Sequence, residues 1–473
     1  MKILLINPPF TGYGGLEGHG GKAAPLNLAY LASFLRKESP DIKISILDCE
    51  GLALSYSRIK SEIEKNSPDI VGITAPTPAY NQVIEVSKLI KNISKDIKII
   101  LGGPHPTTFP AETAQEEFID FSVYGEGEQT FFELVNVIER EGDFNSVEGI
   151  AFKNSAGKVH LTAPRPLIND LDSIPFPARD LLPLDIYFSP PTKRVSNKKN
   201  GNMITTRGCP FECTYCIARI IWNKRVRYRS VKNVVDEIEE CLKKFGIGEF
   251  NFHDELFTLK KDRTIEICQE IRRRKLDIAW VCMARVDYIW EDVLREMKRA
   301  GCKKIMFGFE SGSQEILNLM KKRVKVERAY EAIKLVKRVG IKTAGNFMFG
   351  NIGETEETIR KSINLAKELD TDTVAFFIAS PYPGTEFYEI AKKKGYLRKD
   401  LQWKDFTLVS QGNRPPLNLP GLDADRILEL QKQAYKEYYL RVSYILKKLL
   451  GIRSLMDIQN LFYGAKLLFR IER

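Results

Sequence analysis

Residues 202–216 read NMITTRGCPFECTYC. A short β-forming run meets Gly208, and three cysteines follow, Cys209, Cys213 and Cys216, spaced C-x3-C-x2-C. No fourth cysteine or histidine lies nearby in the sequence. Structural zinc takes four ligands, usually as CxxC pairs, so the spacing argues against it. A fully protein-ligated [4Fe–4S] cluster also takes four thiolates. Three leave one iron open, able to hold a small molecule through an amine and a carboxylate. The fold therefore has to present an exposed loop directly after a strand.

Outward from this loop a βα rhythm runs over residues 201–395. The predicted strands are NMITTR (202–207), EFNFHDE (249–255), AWVCMAR (279–285), KIMFGFE (304–310), TAGNFMFG (343–350) and TVAFFIAS (373–380). Amphipathic stretches such as SVKNVVDEIEECLKKFG separate them. Six βα units exceed a hairpin array and fall short of eight, so a partial (β/α)6 barrel is expected. Its functional residues should sit at the carboxyl ends of the strands.

Residues 1–140 carry a second βα series. KILLINPP, IKISILD, DIVGITAP, IKIILGGP and DFSVYGEG read as strands, with helical periodicity between them. Five such units predict an α/β domain of flavodoxin/Rossmann-like type, with a ligand beyond the carboxyl edge of its parallel sheet. The strand ends are rich in Gly, Pro and Thr: NPP (7–9) and TGYGGLEGHGG (11–21), TAPTPAY (74–80), GGPHPTT (102–108) and YGEGEQT (124–130). One glycine-rich loop is weak evidence, because turns need glycine anyway; four at one edge favour a ligand site.

Residues 141–200 read as a connector. GIAFKNSAGKVHL predicts a β-hairpin turning near Ser155–Gly157, followed by a Pro-rich extended stretch. Residues 396–473 form a helical C-terminal region. Its basic, aromatic last segment reads either as a cap on the barrel or as a lipid-facing surface.

The chain has 473 residues and a net charge of +11. The charge permits an anionic partner, or is spread over solvated helix faces. No run of apolar residues is long enough to span a membrane. The N-terminus runs straight into Pro8 and Pro9, unlike a signal peptide. A cytoplasmic protein is expected, with membrane association through the C-terminal region as an option. Cys49, Cys241, Cys268, Cys282 and Cys302 are scattered and read as buried small hydrophobes.

The three cysteines, with Tyr215 before the last, resemble the signature of the radical S-adenosylmethionine (SAM) superfamily. The resemblance covers roughly residues 200–395. It implies that Cys209, Cys213 and Cys216 ligate a [4Fe–4S] cluster. It also implies that SAM contacts Asp254 and Glu255 after the second strand, Arg285 after the third, and Glu310 and Ser311 after the fourth. Gly345 in GNFMFGNIGET and Pro381 in SPYPGTEFY complete that set. The N-terminal domain resembles the cobalamin-binding domain that precedes the barrel in one large class of the superfamily. That implies corrin contacts from Asn7, Gly14, Gly15, Thr74, Thr77, Gly102, Gly103, His105, Gly125, Glu126 and Gly127. The D-x-H-x-x-G motif that supplies an axial histidine in other cobalamin proteins is absent, and only His19 and His105 lie in this domain. Many members of the class also lack it, so His105 is read as a loop or corrin-contacting residue and not a cobalt ligand.

The resemblance implies an enzyme that cleaves SAM to a 5′-deoxyadenosyl radical and modifies an unactivated carbon, by C-methylation through methylcobalamin. Radical C–C bond or ring formation, on a lipid or tetrapyrrole for example, is the alternative. A tRNA methylthiotransferase would bring extra cysteines in its N-terminal domain and a β-rich RNA-binding tail, and neither is seen. A cobalamin- or redox-sensing binding protein would not need the barrel motifs. The expected partners are a small-molecule, lipid or peptide substrate and an electron donor such as ferredoxin or flavodoxin, with no nucleic acid.

Overall fold

The computed structural model describes residues 1–10, 21–190, 193–406, 414–452, 454–455 and 457–462. Gly14, Gly15 and His19 lie outside the described residues, as do the last eleven residues of the C-terminal segment. The chain divides into two compact units, with the change at Tyr187/Phe188.

The first unit holds strands β1 (Lys2–Asn7), β2 (Lys43–Asp48), β3 (Ile70–Thr74), β4 (Lys98–Gly102) and β5 (Phe121–Val123). They are parallel, in the order β2-β1-β3-β4-β5. This is the flavodoxin-like order, in which the strand sequence reverses between β1 and β3. β3 is buried along its whole length, so its apolar run is continuous and does not alternate. Ile3, Leu5, Ile70, Ile100 and Phe131 belong to one apolar core with Leu28 and Leu134 from the covering helices.

The hairpin expected within 141–200 forms as β6 (Ile150–Lys153) and β7 (Val159–Leu161). It does not stand apart as a linker. β6 pairs antiparallel with β5, and β7 with β6, so the hairpin extends the first sheet past its parallel part. The pairing satisfies backbone groups that β5 would otherwise leave open as an edge.

The second unit holds a second sheet of β8 (Lys199–Met203), β11 (Ile247–Phe252), β12 (Ala279–Ala284), β13 (Cys302–Glu310), β14 (Lys342–Phe349) and β15 (Thr373–Ile378). All are parallel and neighbours follow chain order, as a partial (β/α)6 barrel requires. The run NMITTR is not one strand. It breaks after Met203, and β9 (Thr206–Arg207) pairs antiparallel with β10 (Arg227–Tyr228) in a separate ribbon. Phe250, Phe252, Trp280, Phe307, Phe347 and Phe376 are fully buried on the helix side of the sheet.

The helix Ala424–Tyr439 lies against β15. β15 is the last strand, and its open edge is capped by side chains: Val374 N–H donates to Tyr439 Oη (2.9 Å) and Phe376 N–H to Tyr435 Oη (3.1 Å). Tyr439 Oη in turn donates to the Val374 carbonyl (2.7 Å). The following helix, Val442–Leu450, leaves Leu446, Leu449 and Leu450 exposed. Among the described residues no helix is long and apolar enough to cross a membrane. The five scattered cysteines are all buried.

Candidate active site

The cysteine loop is shaped by Gly208. Its φ is +109°, and a Cβ there would lie 1.8 Å from the Arg225 carbonyl oxygen, so no side chain fits. Beyond this turn Cys209 and Cys216 are half-buried and Cys213 is buried. Cys216 N–H donates to the Cys213 carbonyl (3.1 Å). Two backbone bonds pin the loop between neighbours: Thr214 N–H to Met320 O, and Phe387 N–H to Thr214 O, both 3.0 Å. Burial, followed by the neighbouring thiols, pushes the Cys216 thiol up to about 12 and raises Cys209. Thiolates at such a site are stable only opposite a strong cationic centre. Among the described residues no three metal-ligating groups close on a single ion. Three thiols without a fourth ligand nearby in the sequence suit an iron–sulfur cluster with one open iron better than structural zinc, which takes four ligands.

The residues read from the sequence as SAM contacts all lie in the barrel unit, in two tiers. Asp254 is fully buried behind the loop, and both of its oxygens are engaged. It accepts from Thr205 N (2.6 Å), Thr206 N (3.2 Å) and the Thr205 hydroxyl, and so holds the chain break that leads to Gly208. Arg263 locks the same turn by donating to the carbonyls of Thr205 and Arg229. Arg285 is likewise occupied: it forms a two-pronged pair with Asp287, donates to the Lys322 carbonyl (2.9 Å), and lies 3.7 Å over the Phe211 ring in the cysteine loop. These two side chains position the loop. Gly345 sits in mid-strand on β14, where a Cβ would press to 2.8 Å against the Phe309 ring; its smallness serves packing within the sheet.

The other tier lies at the carboxyl edge. Glu255 accepts from Trp222 Nε1 (2.7 Å), and burial raises its pKa. Glu310 ends β13 with φ +66°, beyond a register shift between Gly308 and Glu310. A non-glycine residue in this region is strained, and such strain gathers at functional positions. Ser311 Oγ is buried 3.2 Å from Ser362 Oγ, and Pro381 is buried just past β15.

Three residues were not singled out from sequence. Lys322 Nζ contacts Glu310 Oε1 (2.8 Å) and the Tyr215 hydroxyl (3.3 Å). Glu354 accepts from the N–H groups of Gly350 (2.6 Å) and Asn351 (2.8 Å), and burial pushes it up to about 8. Its Oε1, and Ser380 Oγ beyond β15, are buried without a hydrogen-bond partner. Orphaned polar atoms at this edge suit a ligand carrying amino and hydroxyl groups.

In the first unit the expected residues that are described lie at one carboxyl edge. Asn7 Nδ2 donates to Asp48 (2.7 Å), and Asn27 Nδ2 to Thr74 Oγ1 (2.8 Å). Gly102 ends β4, and Gly103 follows with φ +105°, where a Cβ would crowd Thr74 Oγ1 (3.2 Å) and Ala75 N (3.3 Å). Nothing lies within 4 Å of the Cβ direction of Gly125, so its bare backbone faces open space. Glu126 accepts from Ile168 N (2.7 Å), and Gly127 opens the helix Gly127–Glu139. Glycines and threonines with open backbone fit a large ligand held by close backbone approach. His105 is only 2% exposed, stacked on Tyr80 (3.7 Å between ring centroids), with Nδ1 3.4 Å from Thr77 Oγ1. Burial pushes its pKa down to about 4, so it is a neutral packed imidazole.

Both units match known protein families. Residues 203–366 match the Radical SAM superfamily, and residues 18–135 match the B12 binding domain. An uncharacterized methyltransferase of Pyrococcus horikoshii is 38% identical over 450 residues, spanning 94% of each chain. The anaerobic magnesium-protoporphyrin IX monomethyl ester cyclase of Rubrivivax gelatinosus is 30% identical over 94% of this chain and 78% of its own length. Among solved structures, the cobalamin-dependent S-adenosylmethionine radical enzyme OxsB shares the fold, with a TM-score of 0.76 at 18% identity over 100% of this chain and 71% of its own. With a three-cysteine loop on a partial barrel and a B12-type domain before it, the chain belongs to the cobalamin-binding branch of the radical SAM superfamily.

Proposed function

We propose that this enzyme transfers a methyl group to an unactivated carbon of a small-molecule substrate. The observation that carries the reading is the match to a methyltransferase over 94% of each chain, joined to the C-x3-C-x2-C loop at the carboxyl edge of the barrel. Bound here, a [4Fe–4S] cluster with SAM supplies a 5′-deoxyadenosyl radical, and methylcobalamin supplies the methyl group. Cys209, Cys213 and Cys216 hold the cluster, and Gly208 gives the loop the turn that presents them. Glu255, Glu310, Ser311, Glu354, Ser380 and Pro381 would contact SAM, while Asp254 and Arg285 hold the cysteine loop. Asn7, Thr74, Gly102, Gly103, Gly125 and Gly127 would hold cobalamin, and His105 and Thr77 pack against each other at the same sheet edge. Ferredoxin or flavodoxin supplies the electron.

Ring formation without methyl transfer is the second reading, supported by the cyclase relative at lower identity and coverage. The test is anaerobic turnover with SAM carrying a CD3 group, followed by mass spectrometry of substrate extracts. Methyl transfer gives a product that carries the label. A cyclised product without label would replace this reading with ring formation.

A further inference from the structure

Side chains on a strand alternate between faces. On β11 and β12 the residues Phe250, Phe252 and Trp280 point to the helices, and Trp280 Nε1 donates to the Ala300 carbonyl there (2.8 Å). Glu249 and Asn251 therefore face the opposite, concave side of the sheet. That side is polar. Asn200 on β8 is the register partner of Glu249, Asn202 that of Asn251, and Lys304 on β13 lies across Val281 from Asn251.

Glu249 is 1% exposed. Its Oε2 is fully used, accepting from Ser196 N–H and Oγ–H (both 2.6 Å) and from Val195 N (3.3 Å). Its Oε1 is buried with no hydrogen-bond partner. Asn251, 8% exposed, donates from Nδ2 to Ser189 Oγ (2.8 Å), while its Oδ1 is buried and unpartnered. Asn200 Nδ2 is buried and unpartnered as well. A buried polar atom left without a partner is costly, and three on one strand pair are an expensive arrangement unless a ligand completes them. Met283, one step nearer the carboxyl edge on the same face, is 37% exposed.

We infer that the concave face of the barrel carries a recognition site, built from Glu249, Asn251 and Asn200, for a carboxamide-like group of the substrate. Two acceptors take its N–H donors, and Asn200 Nδ2 donates to its carbonyl oxygen. Lys304 shares the face with Glu249, and burial pushes its pKa down to about 7. The inference rests on the proposed function and narrows its substrate class from lipid, peptide or small molecule to one with a polar amide-like end.

The experiment uses anaerobic crystals of the reconstituted holoenzyme soaked in acetamide. Glu249→Gln keeps the side-chain shape and the Ser196 bonds while turning the free acceptor into a donor. Asn200→Ala removes a donor that no other group uses. The expected result is acetamide with its nitrogen on Glu249 and Asn251 and its oxygen on Asn200, with occupancy reduced roughly tenfold in either variant. Ordered water alone in the wild-type crystal, or acetamide bound equally in all three proteins, overturns the site. SAM cleavage to 5′-deoxyadenosine is measured on the same samples. If wild type cleaves SAM but ignores acetamide, this inference fails and the function stands; if it does not cleave SAM, the function itself fails.

Discussion

Lys322 Nζ lies 2.8 Å from Glu310 Oε1, and both side chains are about nine-tenths buried. The same ammonium reaches the hydroxyl of Tyr215, inside the cysteine loop (3.3 Å). One lysine thus ties the strained end of β13 to the residue just before Cys216. Removing one partner of such a pair strands a buried charge, at a cost of about 3–5 kcal/mol. Lys322→Met should lower stability by that amount in urea unfolding and loosen the loop, so that less iron is retained. Lys322→Met combined with Glu310→Gln should recover part of the stability, because no charge is then left alone. A double variant as unstable as the two single losses added together would refute this coupling.

Gly208 offers a sharper test of the loop. At φ +109°, with a Cβ overlapping the Arg225 carbonyl, even alanine forces the backbone to move. Gly208→Ala should leave the far-ultraviolet circular dichroism close to wild type, while iron and sulfide fall from about four of each per chain to well below half. Cys209→Ala, Cys213→Ala and Cys216→Ala together should remove both. Full iron content in Gly208→Ala would mean the turn does not set the cysteine geometry.

The open edge of β15 is closed by hydroxyl groups. Tyr439→Phe removes the partner of both Val374 N–H and Val374 C=O while keeping the ring. A loss of about 1–3 kcal/mol in thermal or urea unfolding is expected. Adding Tyr435→Phe, which frees Phe376 N–H, should destabilise further. An unchanged melting temperature in the double variant would show that water replaces the tyrosines at no cost.

These contacts mark where sequence reading stops. Both sheets are legible because βα alternation and apolar runs are local signals, and Cys209, Cys213 and Cys216 are legible because their spacing is. Lys322 was invisible: it sits twelve residues beyond Glu310, past a helix, and only the fold returns it to the strand end. The roles of Asp254 and Arg285 were also hidden. Each follows a strand, where a ligand contact is the natural reading, yet each is consumed by the loop behind the edge. Gly345 lies in the fifth barrel strand as the sequence predicts, but the close approach its smallness permits is to the Phe309 ring, which the sequence does not show. The tyrosines that cap β15 looked like part of an ordinary amphipathic helix, since edge pairing is a long-range fact.

His105 gives a pH signature. Its pKa falls from an ordinary 6.5 to about 4 on folding, because burial disfavours the charged ring. The unfolded chain then binds the proton more readily between those values. Stability should fall as pH drops from about 6.5 through about 4, by roughly 3 kcal/mol from this residue. His105→Phe should flatten that part of the curve relative to wild type, read as the difference between the two proteins in urea unfolding from pH 7 to pH 4. In the cob(II)alamin form, spin-resonance spectra should show no histidine nitrogen coupled to cobalt. Such coupling would show that His105 leaves its stack on Tyr80 to bind the metal.

The final prediction separates the two cofactor sites. Gly103 lies at the carboxyl edge of the first sheet, and the cysteine loop lies at that of the second; each belongs to its own compact unit. At Gly103 a Cβ would crowd Thr74 Oγ1 and Ala75 N, and φ +105° penalises any side chain. Gly103→Ala should therefore distort the β4 end and cut cobalamin occupancy, read from the visible spectrum, by tenfold or more for a strain of about 1.4 kcal/mol or above. Iron content and dithionite-driven formation of 5′-deoxyadenosine should stay within about twofold of wild type. Glu310→Gln should do the reverse, leaving the cobalamin spectrum intact while SAM cleavage falls. Methyl transfer needs both halves and should be lost in either variant. If Gly103→Ala kept full cobalamin occupancy, or if Glu310→Gln cleaved SAM at the wild-type rate, the assignment of these two edges to their cofactors would have to be withdrawn.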